Sequence, residues 1–271
     1  MRKPSLLLRI LVLAYVVALL GIPLFFVFQQ AFSHGWGQLW AALHDHAMDL
    51  AILLTTKVVV VAVPLNILFG IGASLWIVRR PSRFSHILDV LIDVPLAISP
   101  IVVGLVLELA YAQNGWFGPV LARLGWRVMF SFPGIVIASI FVSLPLVSRQ
   151  VIPLLREIGH HQVQTAATLG ASPARIFFTI TLRSIAWAAA YGVTLTLARV
   201  IGEYGAVLIV SGNIALLTQT LTLDIGANFE NFNAYQGFVG ALLLALVSVA
   251  VLLVIAFARH RLERKRHDSF A

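Results

Sequence analysis

An all-α, polytopic integral membrane protein of about six transmembrane helices is the fold class that three observations predict. Of the 271 residues, 60% are hydrophobic and only 11% are charged, with a mean hydropathy of +0.95; that charged share is less than half of what a soluble domain carries. Apolar runs of about 20 residues, the length that crosses a hydrocarbon core, recur along nearly the whole chain. The cations are divided very unequally between alternate loops, as the positive-inside rule requires of a multi-span chain. No cysteine is present, which excludes disulfides, Cys-ligated metal and thiol catalysis.

The first span is expected near 8–28. A cleaved signal peptide has a shorter apolar core and small residues at its end. Here Pro23 and the bulky Phe25 and Phe26 follow instead, so the helix reads as an uncleaved span. Further spans are placed near 52–78, 90–112, 133–154, 185–210 and 234–258. The second and fifth are long enough to be tilted or broken. Pro64, Pro95, Pro100 and Pro145 fall inside spans, where neighbouring helices can satisfy the freed backbone groups. The chain thus divides into a first helix with an outer loop (1–50), the main transmembrane unit (51–258) and a basic tail (259–271).

Orientation follows from Lys and Arg. The N-terminus, the loops at 79–83 and 149–183 and the tail together hold fifteen cations, against Arg123 and Arg127 in the opposite loops. Both termini and 155–183 are therefore expected in the cytoplasm, with 29–50, 113–130 and 211–233 facing out. The net charge of +8 is mostly this asymmetry, and the tail "RHRLERKRH" reads as topogenic or lipid-facing rather than as a nucleic-acid patch.

The cytoplasmic stretch "VQTAATLGASPARIFFTITLR", 163–183, is too short and too polar to span. Residues 155–169 read as a short helix that Gly170 ends by turning left-handed. Ser172 is placed to cap a second helix, and Pro173 suits its first position. Ile176, Phe177 and Ile180 are spaced to form one apolar face of that helix. Such a face can lie on the membrane, sit beneath the chain's own spans or dock in a partner's groove.

This stretch resembles the EAA loop of ABC-importer permeases. The family pattern is an acid-Ala-Ala start, a Gly four residues on and an Ile-x-Leu-Pro end. Ala166, Gly170, Ile180 and Leu182 match it, while Gln164 stands for the acid and Arg183 for the Pro. "LDVLIDVPLAISPIVVGLVLELAYAQNGWFGP", "MFSFPGIVIASIFVSLPLVSRQVIPLL" and "YGVTLTLARVIGEYGAVLIVSGNI" are similar to sulfate/thiosulfate permeases, so the resemblance covers roughly 50–215. The run from Asp93 to Pro100 resembles the CysW-type subunit.

The resemblance implies a coupling surface for an ATPase at Gln164, Ala166, Gly170, Ser172, Pro173, Ile180 and Leu182. It also implies a location in the bacterial cytoplasmic (inner) membrane. The implied partners are ATPase subunits that bind ATP and Mg, a related second permease, and a periplasmic or lipid-anchored sulfate-binding protein, besides membrane lipid. No cofactor is expected in this chain itself, and the polar segment 210–226 is implied as an outer gate.

Charges in or beside apolar runs are costly and are functional candidates by default. Arg199 and Glu203 are four apart and can share a helix face. They either pair to hold the fifth span or serve a dianion in the pore. Gly202 and Gly205 permit close approach or a break there, and a broken helix can aim N–H groups at an anion. The translocation path or gate is accordingly expected among Ser99, Pro100, Arg199, Glu203 and Gly205. Asp93 suits a cap or an inter-helix contact better than a sulfate contact. Glu108 falls at the outer interface, and Lys57 either snorkels or draws anions to the outer mouth. His44 and His46 beside Asp45 and Asp49 lack a third ligand run, so a plain loop is favoured over metal. His160 and His161 read as polar surface.

The only lysines are Lys3, Lys57 and Lys265, and none follows a glycine, so no P-loop is present. No G-x-S-x-G or H-E-x-x-H motif appears either. The chain is therefore expected to be no enzyme by itself, but the permease part of a transporting ATPase complex. Its cargo is expected to be sulfate or thiosulfate. Another oxyanion (molybdate, tungstate or phosphate) is the alternative, and an ion-coupled secondary carrier is a distant one.

Overall fold

The computed structural model describes residues 6–159 and 161–268. Among the described residues every regular element is a helix. Five helical stretches are long and apolar enough to cross a membrane: Ile10–Ala31, His46–Arg79, Phe132–Ile158, Pro173–Ile201 and Ala234–Leu253. A bent pair, Arg83–Ala97 with Pro100–Tyr111, supplies a sixth. The chain is thus all-α and polytopic.

Helix α1 (Leu6–Ala31) stands at the edge of the fold, with none of its apolar window buried, and touches only α14 (Ala234–Asp268) extensively. The stretch 29–50, expected as loop, holds a short amphipathic helix α2 (Gly35–Leu43), which buries Leu39 and Ala42. It also holds the start of α3 (His46–Arg79). His44 lies against the Trp40 carbonyl at 3.0 Å, and Asp45 caps α3 by accepting from the Ala47 N–H at 3.2 Å.

The third span is not the continuous helix expected at 90–112. It is α4 (Arg83–Ala97) and α5 (Pro100–Tyr111), bent by 111° at Ile98–Ser99. Both linking residues are extended, with ψ of 138° and 137°. The cause is local: the ring of Pro100 disfavours the helical region for the residue before it. Hydropathy alone does not register the break because both halves are apolar.

After α6 (Gly118–Arg123), the fourth span is α7 (Phe132–Ser143) and α8 (Pro145–Ile158). Pro145 removes a donor at their junction, and the Leu144 N–H closes a tighter turn on Phe141 instead. α8 continues past the expected end at 154, so 155–169 is not one helix. Gly159, at φ +66° and ψ −159°, interrupts it, and α9 (His161–Thr168) follows. Such a backbone is open to glycine and strained for other residues. His160 lies outside the described residues.

The second helix expected in the cytoplasm also differs from expectation. α10 (Pro173–Ile176) is a single turn that passes through a π-helical turn, Phe177–Thr181, straight into α11 (Leu182–Ile201). No Gly or Pro separates them, so the stretch 173–183 is continuous with the fifth span rather than a free-standing unit. That span breaks at Gly202–Tyr204 and resumes as α12 (Gly205–Ser211), before α13 (Leu221–Glu230).

The core lies where α3, α5, α7 and α12 meet, around Val58, Ala62, Val103, Ile135, Val207 and Val210. A second seam joins α3, α8 and α11. There Val147 is wedged between Gly70 and Gly192: a Cβ on either glycine would lie within 2.8 Å of it. In hydrocarbon, where apolar burial drives little association, such close backbone approach is the chief source of helix–helix attraction.

Candidate functional site

The stretch 163–183, the expected coupling surface, is shaped by backbone bonds. Gly170 sits at φ +83°. Its N–H reaches the Ala167 carbonyl at 3.0 Å, and the Ala171 N–H reaches the Ala166 carbonyl at 3.0 Å. That pair of bonds is the Schellman ending of α9. Ser172 then accepts from the Arg175 N–H at 3.4 Å, and Pro173 opens α10.

The apolar face expected from the spacing packs beneath the chain's own spans, so Ile180 and Leu182 are not open where the resemblance implied a coupling surface. Ile176 is buried and Phe177 and Ile180 are half-buried, turned into the chain itself. Ile180 and Thr181 face Val78, Leu155 and Ile158, and the Thr181 hydroxyl accepts from Arg79 at 2.6 Å. Leu182 is also half-buried, while Gln164, Gly170, Ser172 and Pro173 are exposed and Ala166 is half-buried. The apolar side chains left open on this surface are Leu169, 82% exposed, and Phe178, 66% exposed. Leu169 follows α9 and Phe178 lies outside the face of Ile176, Phe177 and Ile180, so neither falls on the apolar stripe that helical spacing picks out.

The second group of expected residues converges at the breaks of the third and fifth spans. A Cβ on Gly205 would lie 3.2 Å from the Pro100 side chain and 3.3 Å from the Ile101 nitrogen. One turn on, a Cβ on Gly104 would lie 3.0 Å from the Ala206 carbonyl. The half-helices α5 and α12 thus run side by side in the same direction, with their N-termini together. Ser99 and Pro100 open one, and Glu203 to Gly205 open the other.

Glu203 is buried, and its Oε1 accepts from the Ala206 N–H at 3.0 Å. Its Oε2 lies 3.0 Å from Arg199, whose side chain remains 39% exposed. The carboxylate therefore caps α12 while it neutralises a cation that stays open on one side. The hydroxyl of Thr222 on α13 donates to the Glu203 carbonyl at 2.7 Å, and the Tyr204 ring lies where a Cβ on Gly226 would be, 2.9 Å away. α13 is tied to α3 by the Leu221 N–H, which donates to Thr55 at 2.8 Å. The polar stretch 210–226 thus folds back over the break. Its Thr-rich composition was legible, but the partners of Thr222 and Thr55 lie 19 and 166 residues away and were not.

Asp93 makes an inter-helix contact: Arg149 donates to both of its carboxylate oxygens. Lys57 is exposed and Glu108 half-buried. On α13, burial pushes the Asp224 carboxyl above its ordinary value. The charge of Asp45 adds to the rise, and a hydrogen bond from Asn228 opposes it.

Residues 66–267 match the family of binding-protein-dependent transport system inner membrane components. The chain belongs to that family. Among curated relatives, this permease is 42% identical over 253 residues to the sulfate transport system permease protein CysW of Synechococcus elongatus, covering 93% of this chain and 88% of that one. CysW of Escherichia coli K12 is 40% identical over 250 residues, 91% and 85% of the two chains. The CysT permease protein of Salmonella typhimurium is 32% identical over 256 residues, 93% and 90%. Among solved structures, a bacterial ABC transporter that imports the acidic polysaccharide alginate superposes with a TM-score of 0.75 over 96% of this permease and 95% of that chain. At 17% identity this likeness is one of fold alone.

Proposed function

We propose that this permease is the CysW-type membrane subunit of an ABC importer for sulfate and thiosulfate, moving its cargo by alternating access. The observation that carries the reading is the 40–42% identity, over nine-tenths of the chain, to sulfate permeases from a cyanobacterium and an enterobacterium. The lower, 32%, identity to a CysT relative supports a heterodimer in which the second permease is CysT-like. The alginate importer, solved with a pentasaccharide-bound periplasmic protein, supports a soluble receptor on the outer face. The side with the excess of Lys and Arg is taken as the cytoplasm.

ATP and Mg belong to separate ATPase subunits, which meet the α9–α10 turn through Gln164, Leu169, Gly170 and Phe178. Closure of the ATPase pair shifts this turn, and the driving free energy is the difference in its affinity between nucleotide states. The translocation path runs by the junction of α5 and α12. There the open side of Arg199 and the positive end of α5 favour a dianion, and buried Glu203 holds Arg199 in place. α13 serves as the outer gate.

The test is radiolabelled sulfate uptake in a bacterium that lacks its own CysW and expresses this chain with cognate partners. Uptake should return, require ATP and be competed by thiosulfate. Competition by molybdate but not thiosulfate would reassign the cargo to another oxyanion. Transport by the reconstituted chain without an ATPase would make it a secondary carrier.

A further inference from the structure

Four charges join the helix that leads into the coupling turn to the helix that carries the break of the third span. Asp89 and Asp93 lie one turn apart on α4, and Arg149 and Arg156 two turns apart on α8. Arg149 grips both oxygens of Asp93, donates to the Asp89 carbonyl at 2.7 Å and lies 3.2 Å from the Asp89 carboxylate. Arg156, in the last turn of α8, binds the other Asp89 oxygen at 2.9 Å. The charges cancel, and the forked geometry fixes direction as well as distance.

Little else holds α4. Only Ser85, Ile92 and Pro95 are buried on it, while Phe84, Ile87, Val90, Leu91 and Leu96 are exposed. Its apolar seam is narrow, centred on Ile92 against Ile152, Ala73 and Ile77. Beside the charges an open cleft of about 440 Å³, lined by Ile77, Ser85, His86, Asp89 and Arg156 among others, leaves room for displacement. At one end of this assembly, Gly159 joins α8 to α9. At the other, the extended Ile98–Ser99 link joins α4 to α5, which is locked to α12 at Gly104 and Gly205.

We infer that Arg149, with Asp89 and Asp93, is the strut by which movement of the coupling turn reaches the half-helices of the translocation path. These are positioning residues: they make α4 follow α8 during the cycle and touch neither ATP nor cargo. The inference rests on the importer reading above.

This chain has no cysteine, so spin labels go to introduced sites once any reactive cysteines of the partner subunits are replaced. Two pairs suffice in the assembled complex: Gln162→Cys with Val60→Cys reports α9 against α3, and Ile87→Cys with Val60→Cys reports α4 against α3. In the parent both distances should change with ATP. In Arg149→Gln the α9 change should persist and the α4 change vanish, with uptake per ATP hydrolysed falling about tenfold, the scale of a typical coupling energy. If that variant does not assemble, Arg149→Lys keeps the charge but loses the fork, and the same readouts apply. An α4 change that persists in the variant, or uptake and hydrolysis falling in proportion, overturns the inference. A parent in which ATP moves neither pair overturns the importer reading instead.

Discussion

At Gly170 the chain reverses on backbone bonds made within six residues, and its side chains are left open. At Gly202–Tyr204 it breaks under contacts from α13, beside the α5 terminus that packs on Gly205, and the carboxylate at the centre is buried. The first is a shape that under the proposed function meets another protein. The second is a polar joint held inside this one. Substitutions should therefore act differently: at the joint they should cost stability, and at the turn they should cost transport while leaving the fold intact.

The largest effect is expected at Glu203. Glu203→Ala removes the acceptor for the Ala206 N–H and leaves Arg199 unpaired. Removing one partner of a buried pair costs roughly 3–5 kcal/mol, and the open side of Arg199 places this case near the lower end. Glu203→Gln keeps an acceptor for the N–H and should recover about 1 kcal/mol of the loss. Thermal unfolding of the purified complex in detergent measures both. If both variants unfold with the parent, the joint is not held by its polar centre and the contrast with the turn fails.

The same contrast explains what the sequence could disclose. Gly170 is required by its positive φ, Ser172 by the cap it gives the Arg175 N–H and Pro173 by the first helical position, all local demands, so their residue types announced the turn. The pairing of Arg199 with Glu203 was also visible, because i, i+4 spacing is local. Pro100 fell inside a span expected to be continuous; its ring disfavours helix at Ser99, but the packing of α5 on α12, about a hundred residues away, had no local signal. The aspartates at 89 and 93 share the same i, i+4 spacing, but nothing local tied them to Arg149, 56 residues beyond Asp93. Leu169 and Phe178 lie off the apolar stripe that the spacing of Ile176, Phe177 and Ile180 picks out, and only the burial of that stripe leaves these two as the open large apolar side chains.

An intermediate effect is expected at the turn. A Cβ on Gly170 would meet nothing within 4 Å, so only its φ of +83° restricts the residue. Gly170→Val should cost about 1–2 kcal/mol locally, and the complex should still insert and assemble. Uptake should be lost while ATP hydrolysis persists. Asn tolerates the left-handed region better, so Gly170→Asn should retain most of the uptake. Normal uptake by Gly170→Val would sink the coupling role of the turn.

The smallest effect belongs to Asp224, which tests whether the outer segment is under electrostatic tension. Its carboxyl is buried on α13, outside the spans, with Asp45 as a charged neighbour, and both effects raise its pKa above the ordinary 3.8. The sign follows from proton binding. Between the unfolded and folded pKa values the folded chain holds more protons, so stability falls as pH rises through that window. The stabilising contribution is complete below the unfolded value and is lost above the folded one. Asp224→Asn stays neutral throughout and keeps an acceptor for Asn228, whose amide now reaches the carboxylate at 3.2 Å. The variant should therefore gain on the parent as pH rises through that window and keep its lead above it. Thermal unfolding across that range measures the difference. A gap that narrows with rising pH would mean that the Asn228 bond, not burial, governs the charge of Asp224.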